Sequence, residues 1–157
     1  PKGWLDKADR VARLVLGTPE AWDWLTAEDH HLLAQEPDPH GSLFAWLEGQ
    51  WHEHGAQPWA ALREALRGQA FEGLALALND SGTALERAGE DESPESRPAT
   101  EHEARRELRE LLRRMHIERL KLRETELIAQ AGMDPQALAL YREVQTARKA
   151  LEAEPID

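Results

Sequence analysis

Cysteine is absent from the chain. That excludes disulfide bonds, thiolate nucleophiles and thiolate metal ligands together. Long apolar runs are missing as well, and no stretch approaches the roughly 20 apolar residues that a membrane-spanning helix needs. The N-terminus carries no basic-then-apolar leader pattern. These absences predict a cytoplasmic protein with no membrane association. Positive charge is in deficit, with 19 Lys and Arg against 30 Asp and Glu and a formal net charge of −11. Broad nucleic-acid binding needs clustered cations to displace counterions, so direct nucleic-acid contact is not expected. β-branched residues are scarce and no segment alternates with period two, which argues against strands.

Catalytic signatures are also lacking. The chain holds no Gly-rich phosphate loop, no G-x-S-x-G and no His-Asp dipeptide. The seven histidines, His30, His31, His40, His52, His54, His102 and His116, never stand four apart. His52 and His54 point to different sides of a helix, so the i, i+4 pairing of helical zinc sites is missing. The reading is therefore of a chain without catalytic residues, metal or cofactor. The first residue is Pro1 and not Met, which predicts a piece of a longer protein.

What is present is helical rhythm. In "WLDKADRVARLVLG", Leu5, Val11, Leu14 and Val15 share a face, and Gly17 is expected to close the helix. "TPEAWDWL" offers Thr18 as N-cap and Pro19 at the first helical position, and "TAEDHHLLAQE" offers Thr26 as cap with acids in the first turn. After the break "PDPHG", "SLFAWLEGQWHEHG" offers Ser42 as cap. "QPWAALREALRG" and "QAFEGLALAL" complete a set of short amphipathic segments. Six tryptophans, Trp4, Trp22, Trp24, Trp46, Trp51 and Trp59, all fall in this half. They read as filling of a small core, or, for Trp22 or Trp24, as the wall of a groove.

Residues 79–100, "NDSGTALERAGEDESPESRPAT", have the composition of an acidic flexible linker. "TALERA" suggests a turn of helix inside it, and Thr100 with Glu103 a capping box that opens the next helix. A long charged helix then runs to about Ala131. Its charges Glu107, Arg114, Glu118, Arg123 and Glu124 interleave with Leu108, Leu111, Leu112, Met115, Leu122, Leu127 and Ile128. Gly132 is placed to cap it, with Asp134 and Pro135 starting the last helix. On that helix Ala137, Leu140, Val144, Ala147 and Leu151 form one stripe, expected to zip onto the long helix. Leu138, Tyr141, Gln145, Arg148 and Lys149 form a neighbouring stripe with no evident partner inside a two-helix hairpin. The expected fold is all-α: a compact bundle over 1–78, a linker over 79–100, and a long-helix C-terminal hairpin over 101–157.

Charge divides unevenly. Residues 1–99 hold 18 Asp/Glu against 8 Lys/Arg, and residues 100–157 hold 12 against 11. Lys2, Lys7, Arg10 and Arg13 make a small positive patch on the acidic half, interrupted by Asp6 and Asp9.

The order "RLVLGTPEAW", "PDPHGSLFAWLEGQWHEH", "ALREALRGQAFEGLALAL", an acidic gap and "LALYREVQTARKALE" resembles the C-terminal helicase-binding domain of bacterial DNA primase (DnaG) over nearly the whole chain. The likeness lies in dispersed positions and helix rhythm, with no signature motif. It implies a helical bundle joined to a terminal hairpin that docks on the N-terminal collar of the hexameric replicative helicase (DnaB) and couples primer synthesis to unwinding. It places Tyr141, Gln145 and Lys149 on the helicase-binding face, and the unpartnered stripe they sit on adds Leu138 and Arg148 to the expected contact. It also implies that Lys2, Lys7, Arg10 and Arg13 take the acidic C-terminal tail of single-stranded-DNA-binding protein. Primase's zinc-binding and polymerising domains would lie upstream. The linker is longer and more acidic than the family's short connection. Two other readings remain open: a helical metal-dependent enzyme subunit, which stoichiometric metal would reveal, and a structural oligomerisation module, which a tight homodimer through residues 101–152 would reveal.

Overall fold

The computed structural model describes residues 6–79 and 101–155. Among them the fold is all-α, as the periodicity predicts. Lys2, Trp4 and Leu5, and residues 80–100 of the expected linker with its "TALERA" turn and Thr100, lie outside the described residues, while residue 79 is helical. The chain divides into two compact units, Pro1–Leu108 and Arg109–Asp157.

The first unit begins with α1 (Lys7–Gly17), capped by Asp6 in a reciprocal capping box with Asp9. Val11, Ala12, Val15 and Leu16 form its buried stripe. Leu16 alone, fully buried, contributes about 2–3 kcal/mol of transfer free energy. α1 ends at Gly17, as expected, and Thr18 is its C-cap, so the expected Thr18 N-cap fails. A single 3₁₀ turn, Ala21–Trp24, comes next, entered from Glu20. α2 (Ala27–Ala34) starts as expected at Thr26, whose hydroxyl accepts from the Asp29 N–H while Asp29 reaches back to the Thr26 N–H.

α3 (His40–His54) starts earlier than Ser42. Ser42 lies inside the first turn and its hydroxyl donates to Asp38 at 2.5 Å. The early start depends on Gly41. A Cβ there would stand 2.1 Å from the Glu36 carbonyl oxygen and 3.0 Å from that of Ala34, so only glycine lets α3 approach the end of α2 this closely. α4 (Trp59–Leu66) and α5 (72–79) complete the set of short helices. Leu33, Leu43, Phe44, Leu47, Leu62, Leu66, Phe71 and Leu78 fill the core. Of the described tryptophans only Trp22 is buried; Trp24, Trp46, Trp51 and Trp59 are half-buried. Leucine and phenylalanine fill the interior that tryptophan was expected to fill.

α6 (Glu101–Gln130) is one uninterrupted helix. Its first two turns belong to the first unit, so the hairpin unit begins later than the expected boundary at 101. Glu107 accepts from Arg10 at 3.0 Å, and the Arg105 guanidinium lies 4.9 Å above the Trp24 ring. α7 (Pro135–Ala153) comes after a short turn. Only Gly55 and Gly68 have positive φ among the described glycines, so Gly132 is not the left-handed cap the sequence suggested. The Gln130 carbonyl closes the turn instead, accepting from the N–H groups of Met133 and Asp134 at 3.0 Å. Asp134 caps α7 as expected, accepting from the Gln136 N–H at 3.0 Å, with Pro135 in the first turn.

Candidate functional site

The second unit is an antiparallel hairpin of α6 and α7. Arg113 donates to the Leu151 carbonyl at 3.0 Å near one end, and Glu124 meets Arg148 nearer the turn. Leu127 and Ala137 are buried beside the turn.

Glu124 and Arg148 fix how α7 is rotated. Arg148 Nε donates to Glu124 Oε2 at 2.5 Å and Nη2 to Oε1 at 3.1 Å, a two-pronged contact. Glu124 is 8% exposed and is the one buried charged residue among the described residues. Arg148 also donates to Glu152. The hydrogen bonds to Glu124 and then to Glu152 hold the guanidinium above its ordinary value, against a smaller opposing effect of burial. Further along, Glu110 lies beneath Arg114 at 2.7 Å and Arg113 at 3.3 Å. Burial works to raise the Glu110 carboxyl, but the hydrogen bonds from Arg114 and Arg113 together outweigh it and hold the group below its ordinary value.

This rotation corrects the expected stripe assignment. Ala137 is buried and Val144 and Leu151 are half-buried, as foreseen. Leu140 and Ala147 are split from that stripe: Leu140 is exposed, and Tyr141 and Arg148 take their levels on the seam. Gln145 is half-buried beside them, its amide 3.5 Å from the Tyr141 hydroxyl. Of the five residues singled out for binding, Leu138 is the exposed apolar one and Lys149 the exposed cation.

The apolar surface lies elsewhere on the hairpin. Five large hydrophobic side chains are exposed among the described residues: Leu122 (64%), Ile128 (50%), Met133 (94%), Leu138 (38%) and Leu140 (43%). All fall within residues 122–140, around the turn. Of these, the unpartnered stripe contains Leu138 only, while periodicity puts Leu122, Ile128 and Leu140 in packed stripes and gives Met133 no place. A signal existed for Met133: in "AGMDPQ" it stands between two helices, among turn formers, with no stripe to join.

On the first unit, the positive patch is partly spent. Arg10 is paired with Glu107, and Asp6 and Asp9 are engaged in the α1 cap. Asp6, Asp9 and His40 form the one cluster of metal-ligating type among the described residues. Its groups already have protein partners: the cap for the two carboxylates, and a 2.5 Å contact from Asp9 to His40 Nε2. His30 stacks on Trp22 with ring centroids 4.5 Å apart and planes 2° from parallel. No helix of the described residues is long and apolar enough to cross a membrane.

Compared with protein-family models, curated proteins and solved structures, the chain matches none.

Proposed function

We propose that this chain is the helicase-binding module of a bacterial DNA primase, a non-catalytic piece that docks primase on the N-terminal collar of the hexameric replicative helicase. The observation that carries the reading is the exposed apolar set at the turn end of the hairpin. Soluble chains scatter large apolar side chains singly over their surfaces, and a cluster calls for a partner. The order of segments that resembles the primase domain points to the same hairpin. Met133, Leu138 and Leu140 would enter a groove on the collar, with Lys149 setting register and on-rate by polar contact. Tyr141, Gln145 and Arg148 would act mainly by holding the seam that presents them.

The test is a calorimetric titration of the full chain against the hexameric replicative helicase of the same organism, repeated with Met133→Ser/Leu138→Ser. Both side chains are exposed, so the variant should unfold at the same urea concentration as the parent. Affinity should fall at least about tenfold, the loss typical of removing interface anchors. Unchanged affinity in the folded variant would defeat the reading, as would no binding by the parent chain.

A further inference from the structure

The seam of the hairpin fixes which side chains share a face. It runs through positions 113, 117, 120, 124 and 127 of α6 and 137, 141, 144, 148 and 151 of α7, all buried or half-buried. Both helices are right-handed and they run in opposite directions, so the positions just after the seam lie on one side of the pair. That side carries Lys121 and Ile128 of α6 and Leu138, Arg142 and Lys149 of α7, all exposed. The side chains of Lys121, Arg142 and Lys149 bond to no described residue. No acid stands four residues from any of them: the neighbours are Ile117, Thr125, Leu138, Thr146, Gln145 and Ala153. Of the acids three residues away, Glu124 and Glu152 are taken by Arg148, which leaves Glu118 at the open end. The other side of the pair mixes signs, with Arg119, Glu143 and the bonded Arg123 and Glu126. In a chain with 30 acidic against 19 basic residues, a face of lone cations is the exception.

These side chains specify what fits against them. Three cations without counter-charge call for carboxylates, and Ile128 and Leu138 among them call for an apolar stripe. The backbone of this face is helical throughout, with its amides bonded inside α6 and α7. An extended segment would find no backbone partner there, whereas a helix brings its own hydrogen bonds. On the reading that the hairpin docks on the helicase collar, we propose that the wall of the groove on the Leu138 side is an acidic amphipathic helix. Its apolar stripe covers Ile128 and Leu138, and its carboxylates meet Lys121, Arg142 and Lys149. Exposed ion pairs add little to affinity, so the cations act mainly on the rate of encounter. The apolar contact then holds the complex.

The test measures association of the full chain with the hexameric replicative helicase of the same organism by stopped flow. It is run at about 0.02 M and about 0.5 M salt, where charges are felt over roughly 20 Å and roughly 4 Å. Lys121→Glu, Arg142→Glu and Lys149→Glu should each slow association at least about fivefold at the lower salt, and the gap should close at the higher. Arg119→Glu makes the same change of charge on the other side of the hairpin and should slow it less than about twofold. All four side chains are exposed, so urea midpoints should stay at that of the parent. Gln in place of Glu serves for any variant that does not fold, with a smaller slowing in the same order. Docking that is indifferent to salt, or slowed as much by Arg119→Glu as by the other three, overturns the acidic helix and leaves helicase docking standing. Tight binding of a single-stranded oligonucleotide that the three reversals abolish also overturns it, and assigns the cations to phosphate. No binding by the parent chain overturns both.

Discussion

Replacing Gly41 by alanine should destabilise the protein, although the same change usually strengthens a helix. Gly→Ala in an open helical position contributes about 0.5–1 kcal/mol of stability. At Gly41 the new Cβ would stand 2.1 Å from the Glu36 carbonyl oxygen, 3.0 Å from the Ala34 oxygen and 3.2 Å from the Glu36 carbonyl carbon. Ordinary carbon–oxygen contacts begin near roughly 3.3 Å, so the backbone around Glu36 must move by about 1 Å. It is not free to do so: the Glu36 N–H donates to Leu33 at 3.1 Å, and the Gly41 N–H to Pro37 at 3.3 Å. Overpacking of this kind costs about 1–3 kcal/mol, and the helix gain is small so near the start of α3. A net loss of about 2 kcal/mol lowers Tm by about 8–16 °C in a domain of this size. Gly49→Ala is the internal control. Gly49 lies in the same helix with nothing within 4 Å of a new Cβ, and should gain about 0.5–1 kcal/mol. Thermal and urea unfolding followed by circular dichroism measure both. A Gly41→Ala protein as stable as the parent would refute the close approach of α3 to the end of α2.

Glu110 links stability to acid. Its folded value lies below the ordinary 4.5, so its contribution is fully present above that pH and is lost as pH falls through the lower folded value. Glu110→Gln should therefore lose less stability than the parent as pH is lowered through the carboxylate range, read from urea midpoints; a parallel loss would contradict the Arg113–Glu110–Arg114 arrangement. Glu124→Leu alone should lower the urea midpoint by stranding Arg148, while Glu124→Leu with Arg148→Leu should recover much of it, because an apolar pair needs no desolvation. Two equally damaged variants would argue against a fork on the seam. Asp134→Ala should cost about 1 kcal/mol through loss of the α7 cap, visible as a lower midpoint; no change would remove Asp134 from that role.

Capping chemistry was legible where one side chain decides it. Thr26 with Asp29, and Asp134 with Pro135, carry their partners within three residues. It misled where tertiary contact decides. Ser42 looks like a cap in isolation, but Gly41 lets the helix begin three residues earlier, and that contact is with Glu36, outside α3. Gly132 looks like a left-handed stop, yet Gln130 closes the turn without positive φ. The tryptophans were misjudged because composition shows their number and not their place, and four of the five described sit at the rim of a leucine core.

The rotation of α7 is the most instructive case, because periodicity offered two answers of equal quality. Positions 137, 140, 144, 147 and 151 and positions 137, 141, 144, 148 and 151 are both stripes of alternating three- and four-residue steps. They share three members and differ only in whether Leu140 and Ala147 or Tyr141 and Arg148 face α6. Hydrophobicity favours the first. The fork from Arg148 to the buried Glu124 selects the second, and in doing so turns Leu138 and Leu140 outward on either side of the seam. One charged pair thus converts apolar residues that could have completed a core into exposed ones at the turn. If the seam and the docking surface are distinct, their variants must behave differently. Tyr141→Ala should lower the stability of the hairpin, since the ring is half-buried, and should weaken helicase binding only as far as that loss unfolds it. Lys149→Ala should leave the unfolding midpoint unchanged and slow association, most visibly at low salt. Were Tyr141→Ala to abolish binding in a hairpin of full stability, the tyrosine itself would be the anchor, and the exposed leucines and methionine would be its surround.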